Sequence, residues 1–436
     1  MNGKAGLLNF ANIPELKRRL FYLFLGLAIY RFSIHVPSPG INSEAFLEFF
    51  QKAGGTLFGF LDIFSGGALS RFSVCALGVM PYISASIIMQ LMTVVFPTIK
   101  EYYKEGPEGR RKIAYYTRYL TLVICLIQGM GIAIGLEKMI SPSGVPIVVE
   151  PGWTFRFLTM VSLTAGTLFL VWLGEQMTEH GIGNGISMII FAGIVAGIFP
   201  AISRSIKFMQ TGEFSFFALL LILMLLFGIL AFTCFMEMSQ RRIPVYYAKR
   251  QVGRQVVGGQ TSYLPLKINT SGVIPPIFAS SVLMFPATIA SFVPLAFFQT
   301  FAQWLNPAGV LYNTIFAGLI IFFCYFYTAV VFNPKEVADN LKKWGGFVPG
   351  IRPGKATEEF LEKVLMRITF IGALYIAFIC VLPNFLVYYL NLPFYFGGTS
   401  LLIAVGVAMD LVGQIEAHLL TRQYEAFIKH SKIKTR

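Results

Sequence analysis

Charge is what this chain has least of. Only 13% of its 436 residues are Asp, Glu, Lys or Arg, against about 25% in an ordinary soluble domain. None occurs between Lys267 and Lys335, and none between Arg367 and Asp410. Charge-free runs of this length exclude a soluble globular fold, because ~20 apolar residues already suffice to cross a bilayer. Catalytic motifs are missing too. GIRPGK at Gly350–Lys355 has one residue too few between its glycines for a Walker A loop, and Ala356 stands where Ser or Thr is needed. The chain is therefore not expected to hydrolyse ATP by itself. HExxH and GxSxG do not occur, and His35, His180, His418 and His430 are scattered. Glu175 and Glu179 lie close together, but nothing near them in sequence completes an acid–base site. The five cysteines, Cys75, Cys125, Cys234, Cys324 and Cys380, all sit in apolar runs at no metal-like spacing, as small buried hydrophobes do. No enzyme, disulfide, metal site or cofactor is expected. Met1–Glu15 has neither an apolar h-region nor a small-residue cleavage site, so the first apolar run is expected to stay in the protein.

What is present is apolar: 56% of residues are hydrophobic and 15% aromatic. Ten segments read as spans: Leu20–Val36, Val74–Pro97, Tyr119–Leu136, Trp153–Leu173, Ile186–Pro200, Phe214–Met236, Val273–Phe297, Val310–Phe332, Ile368–Leu390 and Thr399–Leu420. The first carries Arg31 and His35, and the last carries Asp410, Glu416 and His418. All but seven of the 35 basic residues fall on one side; the seven are Arg31, Lys52, Arg71, Lys138, Arg156, Arg204 and Lys207. The basic side is cytoplasmic by the positive-inside rule, which places both termini inside and requires an even number of spans. Ten spans also divide into five and five, and an odd-numbered half repeats upside down.

The expected fold is an all-α polytopic membrane protein: ten transmembrane helices in two inverted, pseudo-symmetric five-helix halves. Residues 1–19 form a cytoplasmic N-terminus, 20–205 the first half, 206–420 the second, and 421–436 a cytoplasmic tail. Two cytoplasmic loops, about 239–270 and 333–367, are longer than a helix connection needs. Both are basic, with glycine, proline and aromatic punctuation. They read as solvated surface or, better, as a docking platform for a large partner.

Gly54–Pro97 is the most telling stretch. A short apolar, glycine-rich part carries Asp62 and Arg71; a charge-free part of spanning length follows from Phe72. Apolar backbone that enters the membrane without crossing it is tolerated only inside protein or along a water-filled cavity. That points to a transport path. Two readings follow: a passive channel driven by a partner, or an ion-coupled secondary transporter with Arg31, Asp410 and Glu416 as its ionisable residues.

Several long motifs carry a resemblance. SGGALSRFSVCALGVMPYISASIIMQL at Ser65–Leu91, EGPEGRRKIAYYTRY at Glu105–Tyr119, GIGNGIS at Gly181–Ser187, GVIPPIFASS at Gly272–Ser281, NPKEVADNLKKWGGFVPGIRPG at Asn333–Gly354 and PFYFGGTSLLI at Pro393–Ile403 resemble the SecY family, the channel subunits of protein translocons. The resemblance runs from the first span to the tail and looks bacterial. It implies an hourglass channel around a central pore, with a waist ring of Val79, Ile83, Ile186, Ile190, Ile277 and Ile403. It implies a plug at about Thr56–Arg71, including Phe58, Phe60, Leu61, Asp62, Ile63, Phe64 and Arg71. A lateral gate would be lined by Ser84, Ser281 and Phe285. The motor SecA or the ribosome would dock on Arg241, Arg242, Lys249, Arg250, Arg254, Arg352, Lys355 and Tyr424. SecE and SecG are the implied subunit partners, with a preprotein or nascent chain as substrate, membrane lipid around it, and no cofactor. The implied location is the cell inner membrane.

Overall fold

A computed structural model describes residues 14–53, 62, 65–137, 139, 141–142, 144–211, 216–247, 250–252, 255–257, 261–292, 309–390 and 397–433. The chain is mostly helical: α1 (Pro14–Ser33), α2 (Ser43–Ala53), α3 (Met80–Val95), α4 (Pro97–Lys104), α5 (Pro107–Glu137), α6 (Trp153–His180), α7 (Gly185–Gln210) and α8 (Phe216–Met238). Strands β1 (Gln240–Tyr247), β2 (Arg250–Val252), β3 (Gln255–Val257) and β4 (Thr261–Lys267) come next. Then follow α9 (Ile274–Phe292), α10 (Val310–Val331), α11 (Pro334–Lys343), β5 (Gly346–Phe347), α12 (Lys355–Leu390) and α13 (Gly398–Ile433).

Seven described helical segments, in α5, α6, α7, α8, α10, α12 and α13, are long and apolar enough to cross a membrane. Three expected spans look different. α1 holds Lys17, Arg18, Arg19 and Arg31. α9 is described as a helix of 19 residues. α3 has 16 residues and begins at Met80, not at Val74. The reason lies in the backbone before it. Gly66, Gly67 and Gly78 take positive φ, and so does Phe72 at 44°, a region that L-residues seldom enter. Helix starts only where Pro81 occupies the first turn, a position at which its missing N–H costs nothing.

The two largest apolar clusters among the described residues tie the two halves of the sequence together. One lies in the C-terminal helices, with Ile229, Phe278, Phe316, Ile376 and Leu402, and it also takes in Ile87 of α3. The other gathers Tyr30, Val79, Leu170, Ile190, Ile277 and Ile403 from both halves of the sequence. α6 and α7 cross closely, because Gly174 and Gly185 leave no room for a Cβ. α8 exposes Phe217, Met224, Phe227 and Phe235, the surface that lipid would cover.

The two long basic loops fold as strands, which the helical reading did not foresee. β1 pairs antiparallel with β4 from Gln240↔Lys267 to Tyr246↔Thr261. β5, from the second loop, pairs on its other edge through Tyr246↔Phe347. β2 and β3 form a separate hairpin.

Candidate functional site

Four distant segments converge on one apolar cluster. Val79 is the N-cap of α3, and its carbonyl accepts the Ile83 N–H at 3.1 Å. The two thus share a face, although Val79 precedes the helix. Ile186 and Ile190 stand one turn apart at the start of α7. The Asn184 side chain caps that start, accepting from the Ile186 and Ser187 N–H groups at 3.1 and 3.3 Å. Ile277 comes from α9 and Ile403 from α13. Val79, Ile190, Ile277 and Ile403 are 1%, 5%, 8% and 1% exposed. Ile83 and Ile186 pack against the same cluster. All six side chains are aliphatic, so none of them offers a hydrogen-bonding group.

The described part of the segment expected to be a plug is tied down beside this cluster. The Asp62 carboxylate accepts from the Ser70 N–H at 2.8 Å and the Ser65 hydroxyl at 3.3 Å. Burial raises the Asp62 carboxyl above the usual range, and the hydrogen bonds from Ser70 and Ser65 pull against that. From α1, the Tyr30 hydroxyl donates to the Ser65 carbonyl at 3.2 Å, and Arg31 donates to the Gly66 carbonyl at 3.0 Å. Gly66 has φ +68, and a Cβ there would lie 2.5 Å from the Tyr30 hydroxyl and 2.8 Å from the Gly193 Cα. Glycine is required at this point. Arg71 is exposed. Phe58, Phe60, Leu61, Ile63 and Phe64 lie outside the described residues.

α9 meets both α3 and α5 across a seam between the two halves of the sequence. Ser84 on α3 is half-buried. The Ser281 hydroxyl is buried without a hydrogen-bond partner among the described residues. The side chain of Phe285 lies outside what is described.

A SecY family model matches residues 73–412. The Escherichia coli (strain K12) protein translocase subunit SecY is 52% identical over 97% of this chain and 96% of its own length. The chain belongs to the SecY family. Its fold is similar to a solved protein-conducting channel at TM-score 0.65, with 18% identity and 92% of each chain covered. It is also similar to Sec61 in a canine ribosome–channel complex from the endoplasmic reticulum, at TM-score 0.59, 17% identity and 92% coverage of each chain. As expected of a SecY-family chain, it is a multi-pass membrane protein and a protein-conducting channel.

In this SecY-family chain the strands join the two basic loops into one surface. Arg241 and Arg242 are exposed on β1, and Arg352 and Lys355 are exposed after β5. A small core of Ile243, Leu266, Val348, Leu361 and Ile368 lies beneath them. Arg250 begins β2, and Tyr424 lies on α13; their side chains, like all of Lys249 and Arg254, are outside the described residues.

Sequence reading missed several positioning residues. Glu175, which had no evident partner, forms a two-pronged ion pair with Arg118 of α5 at 2.9 and 2.7 Å. At the other end of α5, Glu137 receives Arg156 and the Gly152 N–H. Tyr30, Glu237 and Asn269 were likewise unmarked, and Arg31 was marked only as an ionisable residue of a transporter, not as a partner of the Gly66 carbonyl. The only advance signal was polarity inside apolar surroundings, and each partner lies too far away in sequence to be paired by inspection.

Proposed function

We propose that these six aliphatic residues form the gasket through which an unfolded polypeptide crosses the membrane. Each Asp, Lys or Arg of a passing chain costs ~2.5–3.5 kcal/mol at the centre of a lipid-exposed helix. A watery route removes most of that cost. Ions must still be held back, and a ring of aliphatic tips gates by excluding water. The same tips form no hydrogen bond that would retain a peptide. The observation that carries this reading is the convergence of Val79, Ile83, Ile186, Ile190, Ile277 and Ile403 on one cluster.

The rest of the reading follows the family pattern. Ten spans form two inverted five-helix halves, with both termini on the cytoplasmic side of the cell inner membrane. Thr56–Arg71 is the plug. The seam between α3/α5 and α9/α10 opens sideways to release hydrophobic segments into lipid. SecE and SecG complete the complex, and SecA or the ribosome docks on the basic platform and supplies the energy. The ribosome-bound Sec61 relative supports the last point.

The test is reconstitution in vesicles with a SecA-type motor and a preprotein. The reading predicts a protease-protected product that depends on ATP. An active motor with no protected product, together with small-solute uptake lost on Asp410→Asn, would favour the ion-coupled transporter instead.

A further inference from the structure

Six residues, 268–273, link β4 of the platform to α9 of the seam. A loose link would let the platform move without moving the helix. This link is pinned. The Ile268 N–H donates to the Ser239 carbonyl at 3.0 Å. The Asn269 amide donates to Glu237 Oε1 at 2.5 Å and to the Gly272 carbonyl at 3.2 Å, while its oxygen accepts from the Ser271 hydroxyl at 3.2 Å. Asn269 and Ser271 are each 5% exposed. Gly272 turns the chain into α9 with φ +64. Glu237 is the penultimate residue of α8, and the charges of Lys267 and Asp410 also act on it. One amide therefore joins the end of α8, the end of the platform strand and the first turn leading into α9.

We propose that the Glu237–Asn269 pair is a positioning joint that seats α9 and carries load from the β1–β4 platform into the lateral seam. This rests on reading α9 as a gate helix and the platform as the docking surface. Among the described residues, the pair's hydrogen bonds reach neither the ring nor the exposed docking residues, so it acts through α9. Hydrogen bonds to a charged group are stronger than neutral ones and costly to leave unmade. Releasing this one should let α9 leave its seat with less help from a hydrophobic signal segment.

The experiment uses the full chain in its translocase complex, in vesicles with the motor ATPase. Two preproteins are compared: one with an intact signal, one with a charged residue interrupting the signal's apolar core. The readout is the ratio of protected defective-signal product to protected intact-signal product. Asn269→Asp sets two carboxylates against each other and should raise that ratio by about tenfold. Glu237→Gln keeps an acceptor for the Asn269 amide and should leave the ratio near wild type. The double variant, Glu237→Gln with Asn269→Asp, reverses the donor and should restore most of the wild-type ratio. A merely structural role would lower both products together and leave the ratio unchanged, which would overturn the joint. So would a double variant no better than Asn269→Asp alone. Wild-type vesicles that protect neither product would instead bring down the channel reading, and the joint with it.

Discussion

Tyr246 and Phe347 stack with ring centroids 6.2 Å apart and planes 29° from parallel. The contact fastens the second basic loop to the first, through the register Tyr246↔Phe347. The two loops therefore form one surface, and arginines from both can meet one partner. Phe347→Ala removes a stacked pair worth about 1 kcal/mol. Amide exchange at β5 should rise about fivefold, a factor that follows from that energy. Partner affinity should fall although no arginine has changed. Unaltered exchange would mean that the loops are held together elsewhere.

The ring makes a second prediction. Ile403 is 1% exposed, and Ile403→Asn places a hydrogen-bonding group where water is to be excluded. Ion conductance of resting vesicles should rise, while the volume-conserving Ile403→Leu should cost less than ~1.5 kcal/mol and leave the seal intact. Equal conductance for the two would separate Ile403 from the seal.

Gly66 carries a third. Gly66→Ala would set a Cβ against the Tyr30 hydroxyl and the Gly193 backbone, on a residue already at φ +68. The backbone contact cannot yield, so the plug root should unseat. Tyr30→Phe removes one hydrogen bond, worth about 1 kcal/mol, and should loosen the root less. Thiol labelling of Ser70→Cys in each background should follow the order Gly66→Ala, Tyr30→Phe, wild type.

Asp62 separates charge from hydrogen bonding. Its carboxylate accepts from the Ser70 N–H and the Ser65 hydroxyl. Asp62→Asn keeps an acceptor and sheds a buried charge, so it should seat the plug at least as well. Asp62→Ala orphans a part-buried N–H and should cost about 1–3 kcal/mol locally. The same labelling assay checks both variants.

At the far end of α5, Glu137 is 9% exposed at its side chain and Arg156 28%. Arg156 donates to both carboxylate oxygens, at 2.6 to 3.1 Å. Arg156→Ala leaves the Glu137 carboxylate short of donors and should lower the unfolding temperature. Arg156→Lys should recover only part of that, because ammonium lacks the planar fork. Thermal unfolding of the detergent-purified complex reads both.

The membrane segments were legible because lipid forbids charge, and the runs after Lys267 and Arg367 contain none. The grouping of the six proposed ring residues came only from family motifs. Spacing alone relates Ile186 to Ile190, and nothing local relates either to Ile403. The backbone before α3 was misjudged: Val74 to Val79 looks as apolar as any span, and only the positive φ of Phe72 and Gly78 shows that it turns. The platform sheet was invisible for a similar reason. β1 and β4 pair across a long loop, and β5 is two residues long. Glu237 and Asn269 are 32 residues apart, so each looked like an isolated polar residue near a span end.

The central claim is that polypeptide passes through the ring formed by Val79, Ile83, Ile186, Ile190, Ile277 and Ile403. The direct measurement is crosslinking to a preprotein arrested in mid-passage, with single cysteines placed at Ile190, at Ile403 and at the exposed Phe227 of α8. The account predicts ATP-dependent crosslinks from the first two positions and none from the third. Crosslinks from Phe227 with none from Ile190 or Ile403 would contradict it.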